Sequence, residues 1–264
     1  MILQKIWSNL PETRKVAMSA ELIRIFVGYD NRIPVAFQTL MHSITARSSL
    51  PVAVCPINLT NIKGIFRREA NSLQSTEFSF SRFLTPYLSN YEGWSIFMDN
   101  DIILQDDIAK LWALRDDKYA VMCVKHDHAP SEKKKFMGAV QTSYEKKNWS
   151  SVILFNNAQC RALTPEYVNT ASGLELHQFK WLENDDLIGG LPLEWNYLAA
   201  YNDTHEAPVA KPALIHYTIG GPFYPEFKDT EYAREWFDEY AAANNCKEAD
   251  VYTLTENTRR KLGA

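Results

Sequence analysis

Short apolar runs alternate with helical segments along this chain, and the first two runs constrain the fold most. Residues 22–27 (Leu-Ile-Arg-Ile-Phe-Val) and residues 51–57 each predict a strand. Between them, Pro34 stands near the first turn of a predicted helix. A strand, a helix and a strand in succession open a parallel βαβ sheet. We therefore predict an α/β fold with a Rossmann-like, mostly parallel central sheet and flanking helices.

The remaining sequence continues this alternation within a single domain, residues 21–264, preceded by an N-terminal extension at residues 1–20. We expect helices at residues 80–88, 107–112 and from about residue 230 onward, and strands at residues 94–98, 119–124 and 151–155. Polar, lysine-rich residues 125–148 predict a long loop. Of the 264 residues 46% are hydrophobic and 23% charged, a balance that excludes disorder, collagen-like repeats and a coiled coil.

Net charge, hydropathy and cysteine content limit the binding partners and the cellular compartment that we expect. The net charge of -4 argues against general nucleic-acid binding. No apolar stretch is long enough for a transmembrane helix or a signal peptide. Cys55, Cys123 and Cys160 are predicted to be buried thiols, which favours a reducing compartment. We expect a cytoplasmic protein, with peripheral membrane association left open, since the C-terminal basic cluster Arg259–Lys261 is too short to anchor it alone.

One pair of carboxylates stands out by its setting. Asp99 directly follows a fully apolar predicted strand, and Asp101 is followed at once by an apolar triplet. Two carboxylates between buried segments are costly to desolvate unless a cation pairs with them. Open α/β sheets bind ligands at the carboxyl ends of parallel strands. We predict a divalent-cation site here, the alternative being a helix cap and a surface carboxylate. Such an ion suits a diphosphate, and hence transfer of a sugar or a nucleotidyl group.

The segment from Phe97 to Ile108 resembles the metal-binding D-x-D segment of GT-A-fold glycosyltransferases, most closely family 8, which includes bacterial lipopolysaccharide hexosyltransferases and glycogenin. Four further segments resemble that family in the same order: Gly28–Asn31, Phe80–Leu84, Trp181–Leu187 with Trp195–Asn196, and Leu214–Tyr217. The resemblance implies a GT-A-type fold and a metal-dependent catalytic domain. It further implies transfer of a hexose from a nucleotide-sugar, UDP-hexose, to an acceptor hydroxyl with retention of configuration.

The resemblance also assigns roles to individual residues. Asp99, Asp101 and His216 would bind the metal, and an imidazole ligand favours Mn²⁺ over Mg²⁺. The implied substrate-binding residues are Tyr29, Asp30 and Asn31 at the base, Arg82 and Asn100 at the donor, Ser150 and Ser151 at the sugar, and Gly220 and Gly221 at the diphosphate. Asn184 and Asp185 would lie at the anomeric carbon as the catalytic residues.

Each residue also has an ordinary structural role available to it. His216 is then a hydrogen-bonded histidine, Arg82 pairs with Glu77 on the surface, and Asp185 caps a helix. Asp30 and Asn31 are common turn formers.

Two departures from the family pattern concern the donor. Pro222 stands where the family has a lysine that contacts the diphosphate. Either the backbone N–H groups of Gly220 and Gly221 replace it as an anion nest, or a lysine from residues 125–148 does, or the donor differs. The serines at 150 and 151 replace the family's Asn-Ala-Gly, so the identity of the transferred sugar is left open.

No enzymic nucleophile is evident, so we expect front-side attack in which the leaving phosphate takes the acceptor's proton, with Asp185 as a covalent nucleophile the lesser option. The acceptor is a glycan, a lipid-linked sugar or another hydroxyl compound. Three alternatives use the same carboxylate pair or fold: a nucleotidyltransferase, a haloacid-dehalogenase-like phosphatase, and a non-catalytic nucleotide-sugar-binding relative.

Overall fold

A computed structural model describes residues 21–69, 76–126, 145–201 and 209–245. The predicted N-terminal extension, most of the predicted loop at residues 125–148 and the Arg259–Lys261 cluster lie outside these residues.

Nine strands and six helices are formed by the described residues. The strands are β1 (Ile23–Gly28), β2 (Val52–Ile57), β3 (Trp94–Met98), β4 (Ile102–Leu104), β5 (Val121–Cys123), β6 (Val152–Asn156), β7 (Ile188–Gly190), β8 (Tyr197–Leu198) and β9 (Leu214–His216). The helices are α1 (Pro34–Arg47), α2 (Thr85–Leu88), α3 (Ile108–Ala113), α4 (Pro165–Thr170), α5 (Gly173–His177) and α6 (Ala233–Asn244).

Six strands form the main sheet, in the order β2-β1-β3-β6-β5-β7. Strand β1 is parallel to β2 and β3, and β5 is parallel to β7, whereas β6 runs antiparallel to both of its neighbours. The predicted mostly parallel α/β sheet is confirmed. The chain leaves β1 for β2 on one side and returns to β3 on the other, so the carboxyl ends of β1 and β3 flank a topological switch point. Open α/β sheets bind ligands at such points.

A second sheet of three strands, β4-β9-β8, begins where the main sheet ends. Three residues after β3, the chain enters β4, which pairs antiparallel with β9 so that Ile102 lies opposite His216. The backbone N–H of Tyr217 also donates to the carbonyl of Asp101 at 2.9 Å. This register brings the end of β9 beside the carboxylate pair.

The core lies on both faces of β3, because its side chains alternate between two apolar clusters. Phe97 packs with Phe26 and Phe155 on one face, and Ile96 and Met98 pack on the other. Burial on both faces explains why residues 96–98 of β3 are consecutively apolar rather than alternating. A third cluster packs the second sheet against α6 and includes Trp236 and Tyr240.

The structure refines one prediction about local structure and contradicts another. The helix predicted at residues 80–88 is a 3₁₀ turn at Ser81–Leu84 followed by α2, because Pro86 has no N–H to continue the helical hydrogen bonds. Cys55 is exposed rather than buried. It lies on β2, the edge strand of the main sheet, next to Pro56, a residue that sheets admit at edges.

The other two predicted thiols are buried. Cys123 and Cys160 are both inaccessible, and burial raises the pKa of Cys123 to about 12. Among the described residues, no helix has the length and hydropathy that a membrane crossing requires.

Helix α6 is tied to α1 by a buried carboxylate. Glu239 contacts the imidazole of His42 and pairs with Arg47 at 2.6 Å, and its side chain is only 4% exposed. The preceding residue in the helix, Asp238, instead makes an exposed i,i+4 pair with Arg234.

We expect Glu239→Ala to lower the free energy of unfolding by about 1.5–3 kcal/mol, because it removes hydrogen bonds to a charged, buried group. Asp238→Ala is the matched control and should cost at most about 0.5 kcal/mol. Urea unfolding of both variants and the wild type measures the difference. Equal destabilisation by the two variants would contradict the assigned role of Glu239.

Candidate active site

Two carboxylates and an imidazole converge where the two sheets meet. Asp99 follows β3, Asp101 precedes β4 and His216 ends β9, and one ligand atom from each lies within 4.8 Å of the others. Within the cluster, His216 Nε2 lies 3.4 Å from Asp101 Oδ1. Carboxylate oxygens with an imidazole nitrogen form a donor set that suits Mn²⁺. The residues present therefore fit a divalent ion.

Arg82 lies against this cluster, buried rather than on the surface. Its Nη1 is 2.8 Å from Asp99 Oδ1 and donates to the carbonyl of Ser150 at 2.8 Å. Its guanidinium carbon lies 5.1 Å from the ring centroid of Phe97. The surface pair with Glu77 is not formed, since that carboxylate accepts from Asn31 instead. Arg82 therefore places a fixed positive charge beside the first metal-ligand candidate.

The two predicted sugar-contacting serines lie beneath the cluster and are both buried. The hydroxyl of Ser150 is 2.8 Å from His177 Nδ1. The carbonyl of Ser151 accepts the backbone N–H of Asp99 at 2.9 Å. The structure thus brings both serines to the site, but several of their polar atoms are already occupied by protein groups.

His177 is held neutral by its surroundings. Burial, followed by the positive charges of Arg82 and Arg68, lowers its pKa from 6.5 to about 3. Its ring packs edge-on against Phe83, with the centroids 5.3 Å apart. Sequence reasoning missed this residue, and it carries no local signal, because His177 merely ends a short capped helix.

The predicted base-binding segment follows β1, the neighbour of β3. Asp30 is fully buried, and its Oδ1 accepts from the backbone N–H and the Nε of Arg32 at 2.9 and 2.8 Å. This contact raises the pKa of Arg32. Asn31 donates from its backbone and side chain to Glu77, and Tyr29 packs edge-on against Phe37. Asp30 therefore stabilises the turn, which is the structural role that the sequence analysis also gave for it.

The predicted catalytic pair precedes β7. Asn184, not Asp185, caps the turn at Asp185–Leu187, because its Oδ1 accepts the N–H of Asp186 at 2.9 Å. Asp185 is 69% exposed and pairs with Lys146 Nζ at 2.6 Å, while the lysine is only 9% exposed. Within the described residues, the side-chain contacts of this pair are with Lys146 and with its own turn, not with the carboxylate cluster.

Three further predicted residues have distinct surroundings. Asn100 is buried, and its amide atoms have no hydrogen-bond partner among the residues the structure describes. A Cβ on Gly220 would lie 2.3 Å from the ring of Phe227, and one on Gly221 would lie 2.2 Å from Phe223. Neither glycine has a positive φ. Close aromatic packing accounts for both, and their contact with a diphosphate stays a prediction.

Comparison with known proteins gives one family model and one close relative. The model described as "Glycosyl transferase family 8" matches residues 42–223, more than half of the chain. "Protein CDI" of Arabidopsis thaliana is 50% identical over 234 residues, which cover 86% of this chain and 90% of that protein.

Solved structures share the fold at low sequence identity. The bifunctional glycosyltransferase WbbM is 15% identical with a TM-score of 0.58, and covers 88% of this chain. The glycosyltransferase GlyE of Streptococcus pneumoniae TIGR4 is 14% identical with a TM-score of 0.56 over 90% of this chain. The galactosyltransferase LgtC, in complex with donor and acceptor sugar analogues, is 12% identical with a TM-score of 0.53, covering 83% of this chain and 96% of its own. The chain spans only 51% of WbbM and 63% of GlyE.

The depressed pKa of His177 predicts a pH dependence of stability. In the unfolded chain, His177 binds a proton once the pH falls below its ordinary pKa of 6.5, whereas in the folded protein it stays neutral down to about pH 3. The free energy of unfolding therefore decreases as the pH falls through this window. We expect the free energy of unfolding of His177→Gln to fall less steeply over this window than that of the wild type. Urea unfolding across the window compares the slopes, and equal slopes would show that His177 titrates normally.

Proposed function

The chain belongs to glycosyl transferase family 8, and on that premise we propose that it is a metal-dependent enzyme that moves a hexose from a UDP-sugar to an acceptor hydroxyl. The family and the GT-A-type α/β fold predicted from the sequence are both confirmed. Metal dependence, donor, acceptor and stereochemistry form the proposal. Its acceptor is a glycan or a lipid-linked sugar, and its location the cytoplasm or the cytoplasmic membrane surface.

One observation carries the proposal: Asp99, Asp101 and His216 converge beside the switch point of the main sheet. A bound divalent ion, Mn²⁺ before Mg²⁺, would neutralise the charge that develops on a departing diphosphate. The residues predicted to bind the base follow β1, which neighbours β3, so a nucleotide lying across the switch point would have its base near Tyr29 and its phosphates near Asp99. The donor and acceptor analogues named for the LgtC complex support the same substrate class.

A buried arginine beside the carboxylates and a buried lysine in a neighbouring segment support a phosphate-binding role. Arg82 is fixed on Asp99 and Ser150. Lys147 is 5% exposed, and the next residue, Asn148, accepts from Thr218 Oγ1 at 3.5 Å, two residues beyond His216. Pro222 stands where the family has a lysine that contacts the diphosphate. We assign that contact to Lys147, which lies within residues 125–148, the segment from which the sequence analysis expected a replacement lysine.

Retention by front-side attack agrees with the surroundings of Asp185. A covalent nucleophile needs a carboxylate oxygen aimed at the anomeric carbon, but Asp185 is largely exposed and its Oδ1 lies on Lys146. In the front-side route, the bond from the anomeric carbon to the phosphate oxygen breaks as the acceptor oxygen bonds to the same face. The acceptor's proton passes to the leaving phosphate oxygen. Membership of family 8 favours this chemistry over the nucleotidyltransferase and phosphatase alternatives.

The test is release of free nucleotide from a panel of nucleotide-sugars, with Mn²⁺, Mg²⁺ or EDTA present. We expect release from one UDP-sugar that depends on Mn²⁺ and stops with EDTA. Asp99→Asn should abolish it, because the substitution removes a charged ligand and the partner of Arg82 together. The matched control is Asp106→Asn, which alters an exposed carboxylate paired with Lys110.

Metal-independent release, or an active Asp99→Asn enzyme with a normal metal response, would contradict the proposal. Tight donor binding without turnover, in the presence of acceptor extracts, would instead identify a non-catalytic relative.

Lys147 gives a separate prediction. Lys147→Met should lower kcat/KM for the donor by roughly 10- to 100-fold, because it removes a charged hydrogen-bond donor from the phosphates. Lys147→Arg should recover part of the loss, and Lys228→Met, at an exposed lysine, should change nothing. Steady-state kinetics with varied donor measures the effect. An unchanged KM and kcat for Lys147→Met would remove this lysine from the donor site.

A further inference from the structure

A chain of buried hydrogen bonds runs behind the imidazole of His216. Its Nδ1 lies 3.1 Å from Asn196 Oδ1, and Asn196 Nδ2 donates to Ser151 Oγ at 2.9 Å. Ser151 Oγ in turn donates to the carbonyl of Asn148 at 2.6 Å. All the side chains involved are buried, with Asn196 at 0% exposure and Ser151 at 3%.

The direction of every hydrogen bond in this series is fixed by its last member, the carbonyl of Asn148. The carbonyl of Asn148 can only accept, so the hydroxyl of Ser151 must donate to it. Ser151 Oγ then offers a lone pair toward Asn196, which requires the NH₂ group of the amide on that side. The amide oxygen consequently faces His216 and can only accept from Nδ1–H. A neutral imidazole protonated at Nδ1 has its lone pair on Nε2, the atom that faces Asp101.

Ser151 also touches the other side of the cluster. Its carbonyl accepts the backbone N–H of Asp99 at 2.9 Å, and its own N–H donates to the carbonyl of Asn148 at 3.3 Å. One residue therefore links ligand candidates that come from two different sheets. With its N–H, its carbonyl and its hydroxyl all engaged by protein atoms, Ser151 is poorly suited to the sugar contact that the family resemblance implied for it.

We propose that Asn196 and Ser151 are positioning residues that set the tautomer of His216 and thereby make its Nε2 available as a metal ligand. This inference rests on the proposed function for the metal itself. Outer groups of this kind orient a ligating histidine, and their loss typically costs about 10- to 100-fold in metal affinity. Without Ser151 Oγ, the amide of Asn196 keeps only its longer donation to the carbonyl of Asn148, at 3.4 Å, and is less firmly oriented. Rotation of that amide would present NH₂ to Nδ1 and favour the tautomer whose Nε2 carries the proton.

The first experiment titrates the full-length protein with Mn²⁺ alone, followed by the electron paramagnetic resonance signal of the free ion. Asn196→Leu keeps the volume but removes the acceptor, and we expect affinity to fall about 10- to 100-fold. Asn196→Asp retains an acceptor for Nδ1–H but loses the NH₂ donor, so it should bind Mn²⁺ more tightly than Asn196→Leu. Ser151→Ala should weaken binding in the same direction as Asn196→Leu.

A matched control is available on β3. Ser95 Oγ donates to Asn157 Oδ1 at 2.8 Å, and both residues are fully buried. Ser95→Ala thus removes a buried serine–asparagine hydrogen bond at the end of β3 away from Asp99. Its Mn²⁺ affinity should equal that of the wild type even if its thermal stability falls. Equal affinity in Asn196→Leu and Ser95→Ala would overturn the proposal.

The second experiment reads the tautomer without any metal. Nitrogen-15 and proton correlation spectra of histidine-labelled protein, at alkaline pH where imidazoles are neutral, distinguish Nδ1–H from Nε2–H. His216→Gln assigns the resonance. We expect Nδ1–H in the wild type and a shift toward Nε2–H in Asn196→Leu and Ser151→Ala. An Nε2–H wild type, or an unchanged tautomer in both variants, would overturn the proposal. Failure of the wild type to bind Mn²⁺ while the tautomers behave as expected would count against the proposed metal dependence instead.

Discussion

The cost of burying two carboxylates side by side shapes the centre of this molecule. Asp99 and Asp101 lie between a largely buried strand of the main sheet and the first strand of the second sheet. Charges in such a place are stable only when paired. The chain supplies Arg82 on one side and His216 on the other, and backbone N–H groups and carbonyls at both ends are joined to neighbouring strands. A bound cation would balance the negative charge that remains on this cluster.

The same three residues that hold the carboxylates also join the two sheets. Strand β3 belongs to the main sheet and β4 to the second, so residues 99–101 are the only covalent step between them at this point. His216 arrives from β9 because β4 pairs with it in a register that sets Ile102 opposite the histidine. A slip of one residue would turn that imidazole to the other face of the sheet. The geometry of the cluster is therefore as well determined as the strand pairing itself.

Several polar residues around the site serve the protein before any substrate arrives. Asp30 braces Arg32, Asn184 caps a turn, and Ser151 ties Asp99 to the hydrogen-bond chain behind His216. This arrangement leaves the carboxylate cluster, with Arg82 beside it, as the centre of the proposed site. Preorganisation of this kind requires polar groups to be buried, and these groups must then form hydrogen bonds with one another.

The sequence by itself determined the α/β class, the position of the carboxylate pair after a buried strand, the resemblance to family 8 and the choice of His216. These follow from local patterns, because hydrophobic runs and short motifs are properties of neighbouring residues. Only the tertiary structure decided that β6 runs antiparallel, that Cys55 lies on an exposed edge, and that Arg82 pairs with Asp99 rather than Glu77. It alone also joined Asn148, Ser151, Asn196 and His216. Those contacts link residues far apart in the chain, and their partners depend on strand order and register, which no local pattern encodes.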